Sequence, residues 1–375
     1  MNMQQLPLDF GETVIYQLRS LYNRYGYSQY KMSKFEEYDL YARNKDFLIS
    51  DNVITFTDLD GKLMALKPDV TLSIVKNSKD MPDSVQKLYY NENVYRVSKG
   101  SRSFREIMQV GLECLGNVDD YCICEVLILA AQSLRLISED SILSVSHLGL
   151  LLELFSRMGI ASGYRNAVMK AIGEMNVHEL SRICDEAGVL ASDTALLKKI
   201  VALKGNADRI LPVLTELLDG KVNEDTLQQL RNICLALAKT DAAERIRIDF
   251  SVVDDVHYYN GIVFKGFVAG LPTSVLSGGQ YDKLMWKLHR KSSAIGFAVY
   301  MDALERLDTG VKMYDADILL QYSENIEMSA VMEQAEQFRR QGSSVMVQKG
   351  MPENMRFRKI YQFTGGEVKE IENNA

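Results

Sequence analysis

The sequence is poor in proline and has no long apolar run. It contains 6 prolines in 375 residues and no tracts of serine or glycine, which argues against long disordered linkers. The most apolar run, residues 126–131, is too short to span a bilayer. Residues 1–6 lack the basic and apolar regions of a signal peptide. We therefore expect a cytoplasmic protein with no membrane partner.

Cysteine usage and the absence of common motifs exclude further classes of site. The chain has 5 cysteines, and Cys122 and Cys124 are separated by one residue, where a zinc knuckle needs two to four. The sequence has no HExxH motif and no glycine-rich phosphate loop ending in Lys-Ser or Lys-Thr. We predict buried thiols in a reducing compartment, no metal site and no cofactor.

The charge balance is acidic. Lysine and arginine number 43 against 50 aspartates and glutamates, which gives a formal net charge of −7. A protein whose main partner is a polyanion usually has a basic face, so this balance lowers the odds of nucleic-acid binding without excluding a local basic patch. The length allows two or three domains, and an apolar content of 47% is ordinary for a globular protein.

Helical and strand patterns alternate along the first half of the chain. Residues 9–25 have the spacing of an amphipathic helix, and residues 53–66 have the pattern of a hairpin whose turn contains an Asp-Gly pair. Asp69 stands at the start of a helix that runs to about Asn77. Further strands are predicted at residues 87–95, 104–115, 247–253, 261–268 and 273–276. Further helices are predicted at residues 119–137, from Tyr281, and at residues 296–307.

A long helical stretch interrupts this pattern, and a different unit follows it. Residues 148–245 are almost entirely helical by pattern, with strands on both sides. Residues 311–375 begin with a strand, a helix and a second strand, which is a small α/β piece. The chain is therefore predicted to be α+β, with an antiparallel sheet flanked by helices, a helical insert and a short C-terminal α/β segment.

Two groups of polar residues are candidates for binding a small polar ligand. Asp69 and Thr71 stand at a predicted helix start, where they can hold an ammonium group, although their spacing alone favours helix capping. Gln109, Gly111 and Glu113 lie at even spacing on a predicted strand and share one face. That face is either the floor of a polar ligand site or a solvent-exposed side of the strand.

Three tyrosines near a pair of glycines form a further candidate group. Tyr258, Tyr259 and Tyr281 can recognise a planar polar group through their hydroxyls. The chain contains 19 tyrosines, so ordinary packing is the alternative for each of them. Gly278 and Gly279 allow a close approach of the backbone.

Several segments together resemble the core of the class II aminoacyl-tRNA synthetases, and in particular the histidyl-tRNA synthetase branch. The similar segments are residues 55–71 (hairpin and amino-group clamp), 94–113 (motif 2), 258–259 and 278–282 (histidine pocket) and 294–304 (motif 3). Their order and spacing make the resemblance, which covers about residues 8–308, more specific than any one motif. It implies a synthetase-like domain over residues 1–308 and a truncated anticodon-binding domain over residues 311–375.

The resemblance also assigns roles to the candidate residues. Asp69, Thr71 and Gln109 would hold the amino group of an amino acid. The side that faces an imidazole ring would be formed by Glu113, Tyr258, Tyr259 and Tyr281. This set constitutes the predicted histidine-binding site.

The same resemblance implies that the ATP-activating half of the site lacks two of its usual arginines. Ala303 occupies the position of an arginine that contacts nucleotide phosphates, and Asp254 occupies that of a catalytic arginine. Arg96 is the remnant that would contact phosphate. Because amino-acid activation needs cations on the developing phosphate charge, we expect no catalytic residue and no aminoacylation.

This combination resembles the regulatory subunits of ATP phosphoribosyltransferase, which are synthetase paralogues in histidine biosynthesis. The resemblance implies a non-catalytic subunit that assembles with a short-form catalytic subunit, with a homodimer core inside a hetero-oligomer and with L-histidine as feedback effector. Two alternatives are a degenerate but active histidyl-tRNA synthetase and a synthetase-like RNA-binding regulator.

Overall fold

The computed structural model describes residues 9–45, 48, 53–97, 103–253, 258–307, 314–324 and 326–374. The chain divides into two compact units, of which one is Gly11–Arg306 and the other includes Leu307–Ala375. No helix within the described residues is long and apolar enough to cross a membrane.

The secondary structure alternates throughout the chain. The strands are β1 Ser28–Gln29, β2 Phe35–Glu37, β3 Thr55–Thr57, β4 Leu63–Leu66, β5 Val85–Val97, β6 Phe104–Gly116, β7 Ser141–His147, β8 Lys204–Gly205, β9 Ile246–Asp249, β10 Ile262–Val268, β11 Leu276–Gln280, β12 Ser293–Tyr300, β13 Ala316–Tyr322, β14 Val345–Gln348, β15 Phe357–Phe363 and β16 Val368–Asn373. The helices are α1 Phe10–Arg24, α2 Tyr38–Ala42, α3 Thr71–Asn77, α4 Asp120–Ile137, α5 Leu148–Arg157, α6 Ser162–Gly173, α7 Val177–Glu186, α8 Ala191–Ala202, α9 Ala207–Leu218, α10 Glu224–Leu237, α11 Asp282–Lys287, α12 Met301–Leu304 and α13 Met328–Arg340.

A large, mainly antiparallel sheet forms the centre of the first unit. Its described strands lie in the order β1-β5-β6-β12-β11-β10-β7-β9-β8. The longest ladder joins β5 and β6, which pair from Val85 opposite Gly116 to Val97 opposite Phe104. Two pairs, β1 with β5 and β7 with β9, are parallel. The predicted α+β class and the flanking helices are confirmed.

Helix α4 covers one face of this sheet. The helix begins where the Asp119 carboxylate accepts a hydrogen bond from the Cys122 N–H, as expected for an N-cap. A Cβ atom at Gly266 of β10 would lie 2.7 Å from a methyl group of Leu134, so α4 packs directly on the strand. Because side chains alternate along a strand, Lys265 is directed to the opposite face.

A second, three-stranded sheet contains the hairpin predicted from the Asp-Gly pair. Strand β4 pairs with both β2 and β3. The Asp58 carboxylate accepts hydrogen bonds from the N–H groups of Asp60 and Lys62, and Gly61 has a φ of +83°, which favours glycine. Local sequence alone therefore specifies this turn.

The predicted helix at residues 296–307 is wrong. The structure has strand β12 and then the short helix α12. Strand β12 lies between β6 and β11, so both of its edges are paired, and its mostly buried residues form a nearly continuous apolar run. Such a run cannot be distinguished from a buried helix by periodicity alone.

Other predicted strands differ from the observed ones in their bounds. The strand predicted at residues 273–276 lies at Leu276–Gln280, so Gly278 and Gly279 are inside it. Strands β7, β15 and β16 were not predicted. The region 148–245 contains α5 to α10 and also the two-residue strand β8, which pairs with β9 in the large sheet.

The second unit has its own sheet, with the order β14-β13-β15-β16. Helix α13 packs on one face of it through Val331 and Ala335, which contact Leu320 and Phe363 of the strands. The predicted strand-helix-strand order at the start of this unit is confirmed, and β15 and β16 extend it.

Candidate functional site

A cavity of about 360 Å³ lies against the large sheet, on the face that α4 does not cover. Its wall is formed by strands β5, β6, β12, β11 and β10, by the residues that lead into α3, and by the tyrosines before β10 and α11. All residues predicted as ligand contacts line it: Asp69, Thr71, Arg96, Gln109, Glu113, Tyr258, Tyr259 and Tyr281. Tertiary structure therefore brings together side chains that are about 200 residues apart in the sequence.

The face of β6 that carries Gln109 and Glu113 is the floor of this cavity. Gln109 is 4% exposed and Glu113 is 2% exposed, so the alternative of a solvent-facing strand side is wrong. Directly opposite them on β12 are Tyr300 and Gly296. A Cβ atom at Gly296 would lie 1.8 Å from a carboxylate oxygen of Glu113, so only glycine leaves room for that carboxylate.

Glu113 is held by two hydroxyl donors. Thr71 Oγ1 donates to Oε1 of Glu113 at 2.7 Å, and the Tyr281 hydroxyl donates to Oε2 at 2.5 Å. Burial raises the pKa of Glu113 to about 8, the two hydrogen bonds oppose this shift, and the nearby charge of Asp69 adds to it. The carboxyl group is therefore positioned rigidly and can exchange a proton near neutral pH.

Asp69 combines both of the roles considered for it. Its Oδ1 accepts a hydrogen bond from the Leu72 N–H at 2.8 Å, so it caps the start of α3, and it also lines the cavity. Burial raises its pKa, while the Leu72 N–H and the charge of Arg96 act in the opposite direction. The site thus places a buried carboxylate beside a buried carboxyl group, an arrangement that a cationic ligand group would stabilise.

The tyrosines form an aromatic wall. The ring centroids of Tyr258 and Tyr259 are 4.6 Å apart, and those of Tyr258 and Tyr281 are 5.9 Å apart. Burial is the main cause that raises the pKa of Tyr258 and of Tyr281 well above its usual value, so both hydroxyls stay protonated. These rings can enclose a planar group.

Arg96 supplies a positive charge at the cavity wall. Its Nε donates to the Pro68 carbonyl at 3.0 Å, which fixes the guanidinium plane. Its Nη2 is buried and has no hydrogen-bond partner within the described residues. A buried donor without a partner is costly, so this nitrogen is suited to an anionic ligand group such as a carboxylate.

Sequence patterns missed several cavity residues. Lys265, Ser274, Ser277 and Tyr300 also line the cavity. They lie on or beside β10, β11 and β12, where the order of the strands decides which residues meet. The alternation of Ile262–Val268 indicated which residues of β10 share a face. It did not indicate that β10 lies in the same sheet as β6, with β12 and β11 between them.

Among the residues that the structure describes, no group of three or more histidine, cysteine, aspartate or glutamate side chains could hold a metal ion. The cysteines are all buried and are not in disulfides. Among the charged residues that were predicted from the sequence, Arg96, Asp69 and Glu113 line the cavity.

Comparison with known proteins identifies the family. The sequence model of the histidyl-tRNA synthetase family matches residues 9–304. The chain belongs to the histidyl-tRNA synthetase family. A solved structure from Bacillus halodurans C, described as an ATP phosphoribosyltransferase regulatory subunit/histidyl-tRNA synthetase, confirms the predicted class II synthetase fold. The two structures align with a TM-score of 0.80 over 95% of this chain and 94% of that chain, at 21% identity.

Other relatives in this family carry the regulatory-subunit name. The ATP phosphoribosyltransferase regulatory subunit of Oceanobacillus iheyensis is 25% identical over 355 residues, which is 92% of this chain and 87% of the relative. That of Clostridium botulinum is 27% identical over 82% of this chain and 75% of the relative. The predicted resemblance to these regulatory subunits is therefore confirmed. A histidyl-tRNA synthetase from Nostoc sp. shares the fold, with a TM-score of 0.74 at 15% identity, covering 99% of this chain and 96% of that chain.

The structure describes only some of the positions at which the resemblance implies contacts with nucleotide phosphates. Ala303 lies in α12 and has no side chain that can contact phosphate. Asp254 and residues 98–102 of the motif 2 loop are outside the described residues. That Ala303 stands where the family has a phosphate-binding arginine stays a prediction, as does the role of Asp254.

The raised pKa of Glu113 predicts a pH-dependent stability of the unliganded protein. The folded state keeps a proton on Glu113 up to about pH 8, whereas the unfolded chain releases it near the usual 4.5, so stability falls as pH rises between these values. His147, whose pKa burial lowers to about 4, acts with the opposite sign between about pH 4 and 6.5.

Thermal unfolding measured from pH 5 to 8 with wild type and Glu113→Gln separates the two effects, because only Glu113 differs between the proteins. We expect the loss of stability with rising pH to be smaller in the variant. Equal pH profiles of the two proteins would contradict a raised pKa of Glu113.

Proposed function

We propose that this chain is a non-catalytic regulatory subunit of ATP phosphoribosyltransferase and that it binds L-histidine in the cavity. It would act in the cytoplasm in the first step of histidine biosynthesis and would transmit feedback inhibition by histidine. The observation that carries the proposal is the combination of a complete amino-acid-binding end, centred on Glu113, with an alanine at position 303.

The cavity has a suitable partner for each polar group of L-histidine. The ammonium group would be held by the carboxylate of Asp69, with Thr71 and Gln109 as neutral acceptors. The carboxylate would bind the Nη2 atom of Arg96, which has no hydrogen-bond partner among the described residues. Asp69 would therefore face the positive end of the zwitterion, and Arg96 would face its negative end.

The imidazole ring would lie between Glu113 and the tyrosines. Glu113 has an accessible protonation change near neutral pH, so it can pair with either protonation state of an imidazole. Tyr258, Tyr259 and Tyr281 would enclose the ring and exclude water. A site that must satisfy two ring nitrogens in fixed directions discriminates against side chains that lack them.

Amino-acid activation is not expected from this site. The reaction needs cations that stabilise charge developing on the phosphates of ATP. Ala303 supplies none, and Asp254 would add negative charge where the family has a catalytic arginine. A protein that binds histidine without activating it is suited to act as a sensor.

The partner would be the short-form catalytic subunit of ATP phosphoribosyltransferase, with a homodimer of this chain at the core of the assembly. A solved complex from Thermotoga maritima is described as an ATP phosphoribosyl transferase (HisG:HisZ) complex, and one chain of it aligns with 78% of this chain and 97% of its own length, at 19% identity and a TM-score of 0.60. Histidine can shift such an assembly only through different affinities for its two states.

Calorimetric titration of L-histidine into the purified chain, with ATP absent, tests the proposal. We expect saturable binding, and weaker binding of L-histidinol, which lacks the carboxylate that Arg96 would hold. L-glutamine serves as an amino acid without an imidazole ring and should not bind. An absence of histidine binding both to this chain and to the assembled complex would contradict the proposal.

Histidine-dependent pyrophosphate exchange tests the alternative of an active synthetase. We expect no exchange above background, because the site lacks the motif 3 cation. Measurable exchange would identify the chain as a working enzyme. Salt-sensitive binding of tRNA would instead support an RNA-binding regulator.

A further inference from the structure

A second cavity, of about 310 Å³, lies between the helical insert and the large sheet. Its floor contains Ile246 and Ile248 of β9, which are separated by one residue and therefore share a face of the sheet. Val145 of β7 lines the same floor, because it is paired with Ile248 across the two strands. Helix α10 and the start of α9 lie over this floor.

The second cavity is separate from the proposed histidine site. Val145 is also paired with Phe264 of β10, two residues before Gly266, on which α4 packs. Side chains two residues apart on a strand share a face, so the second cavity lies on the α4 side of the sheet and the first lies on the other side. Among the described residues, none lines both cavities. A ligand of the second cavity would therefore use its own set of contacts.

The interior of the second cavity is apolar. Helix α10 contributes Leu230, Ile233, Cys234 and Leu237, whose spacing of three and four residues places them on one face of the helix. Cys234 is a free, buried thiol and behaves as a small apolar side chain. An apolar cavity of about 150 Å³ is large enough for a benzene ring. The second cavity can therefore hold an aliphatic chain of about six carbon atoms.

The rim of the second cavity is acidic. It is lined by Asp208, in the first turn of α9, and by Glu244, in the turn before β9, and both residues are exposed. Neither carboxylate has a hydrogen bond or an ion pair with another described residue. Within the described part of the chain, no lysine, arginine or histidine lines the cavity. Asn206 adds a neutral acceptor, because its side chain does not cap α9.

The dipole of α9 explains only part of this rim. An acid in the first turn of a helix compensates the helix dipole, and Asp208 by itself would need no other role. Glu244 belongs to a different segment, and it meets Asp208 only at the mouth of the cavity. Two carboxylates around an apolar interior are complementary to a ligand that has a cationic end and an apolar body.

We propose that the second cavity binds a small primary alkylammonium compound. The alkyl chain would lie between α10 and β9, and the ammonium group would be held at the rim by Asp208 and Glu244. An ammonium group has three donors, and the two carboxylates and the Asn206 amide oxygen supply an acceptor for each of them. Most of the affinity would come from the chain, since each methylene group removed from water contributes about 4-fold. This inference does not depend on the proposed function.

Calorimetric titration of n-hexylamine into the full chain tests the proposal. We expect saturable binding at millimolar concentration, and binding of n-butylamine about 10-fold weaker, because it buries two methylene groups fewer. Hexan-1-ol has the same chain without the charge and should bind about 10-fold more weakly than hexylamine. Hexanoate would bring a third carboxylate to the rim and should not bind.

Single substitutions at the rim test the position of the ammonium group. We expect Asp208→Asn and Glu244→Gln each to weaken hexylamine binding by about 3-fold, as for an exposed ion pair, and to leave hexanol binding unchanged. Glu216→Gln is the matched control. Glu216 is an exposed residue of α9 that does not line the cavity, and its substitution changes the net charge equally.

A substitution in the interior tests the position of the chain. Cys234→Leu would fill part of the cavity and should abolish binding of both hexylamine and hexanol, with thermal unfolding as the check that the variant is folded. Wild-type hexylamine affinity in folded Cys234→Leu would overturn the proposal. The same holds for an absence of hexylamine binding to wild type, for equal binding of hexanoate, and for equal effects of Asp208→Asn and Glu216→Gln. Weaker binding to Glu113→Gln, with Asp208→Asn unaffected, would place the amine in the first cavity and also overturn it.

Discussion

The Glu113→Gln variant is expected to bind L-histidine about 30-fold more weakly than wild type, which corresponds to roughly 2 kcal/mol. The substitution would keep the size of the side chain but remove its ability to ionise. One of the two terminal atoms would become an amide nitrogen, which cannot accept the hydrogen bond that Thr71 or Tyr281 donates in wild type. Calorimetric titration of the two proteins at the same pH measures the difference.

A matched control for this variant lies on the same strand. Glu106→Gln makes the same chemical change at an exposed position of β6, away from the cavity, and should leave histidine affinity unchanged. In the assembled complex, Glu113→Gln should weaken histidine inhibition and leave assembly intact. Unchanged inhibition would place the effector site elsewhere, for example at the subunit interface.

The Gly296→Ala variant is expected to lose histidine binding and to be destabilised by roughly 3 kcal/mol or more. The added Cβ would lie 1.8 Å from Oε2 of Glu113 and 2.5 Å from the Leu112 carbonyl oxygen. The Glu113 side chain could move only by leaving its two hydroxyl donors, and the carbonyl belongs to a paired strand that cannot move easily. Thermal unfolding should show a decrease in Tm of roughly 5 °C or more.

Gly163→Ala is the control for this substitution. Gly163 is exposed in α6, and a Cβ atom there has nothing within 4 Å. We expect this variant to be equally stable or stabilised by up to about 1 kcal/mol, because alanine favours a helix over glycine. If Gly296→Ala were as stable as Gly163→Ala and bound histidine normally, the close packing of β12 against Glu113 would be contradicted.

Features with short-range causes could be predicted from the sequence. The turn before β4 was predicted because Asp58 and Gly61 supply a side-chain acceptor and a positive φ within a few residues. The start of α4 lies where it was predicted, and Asp119 caps it directly. In both cases every interacting atom lies within one turn of the chain, so no knowledge of the rest of the fold is needed.

Central strands were harder to predict for a physical reason. Strand β12 is paired on both edges and most of its residues are buried, so its sequence loses the alternation that marks a strand. Gly278 and Gly279, which were predicted to allow a close approach of the backbone, lie within β11. A Cβ at Gly278 would meet the Gly296 carbonyl at 2.3 Å, so glycine is required there by a neighbouring strand.

The sequence by itself determined the acid at position 113, the amide at position 109, the paired tyrosines and the alanine at position 303, and their order along the chain was enough to recognise the family. Tertiary structure decided which of these groups meet and what their environment does. The pKa of Glu113 is raised because three segments bury it together, and Lys265 enters the same cavity because β10 lies two strands from β12. Burial and strand order are properties of the packed chain, so no local pattern contains them.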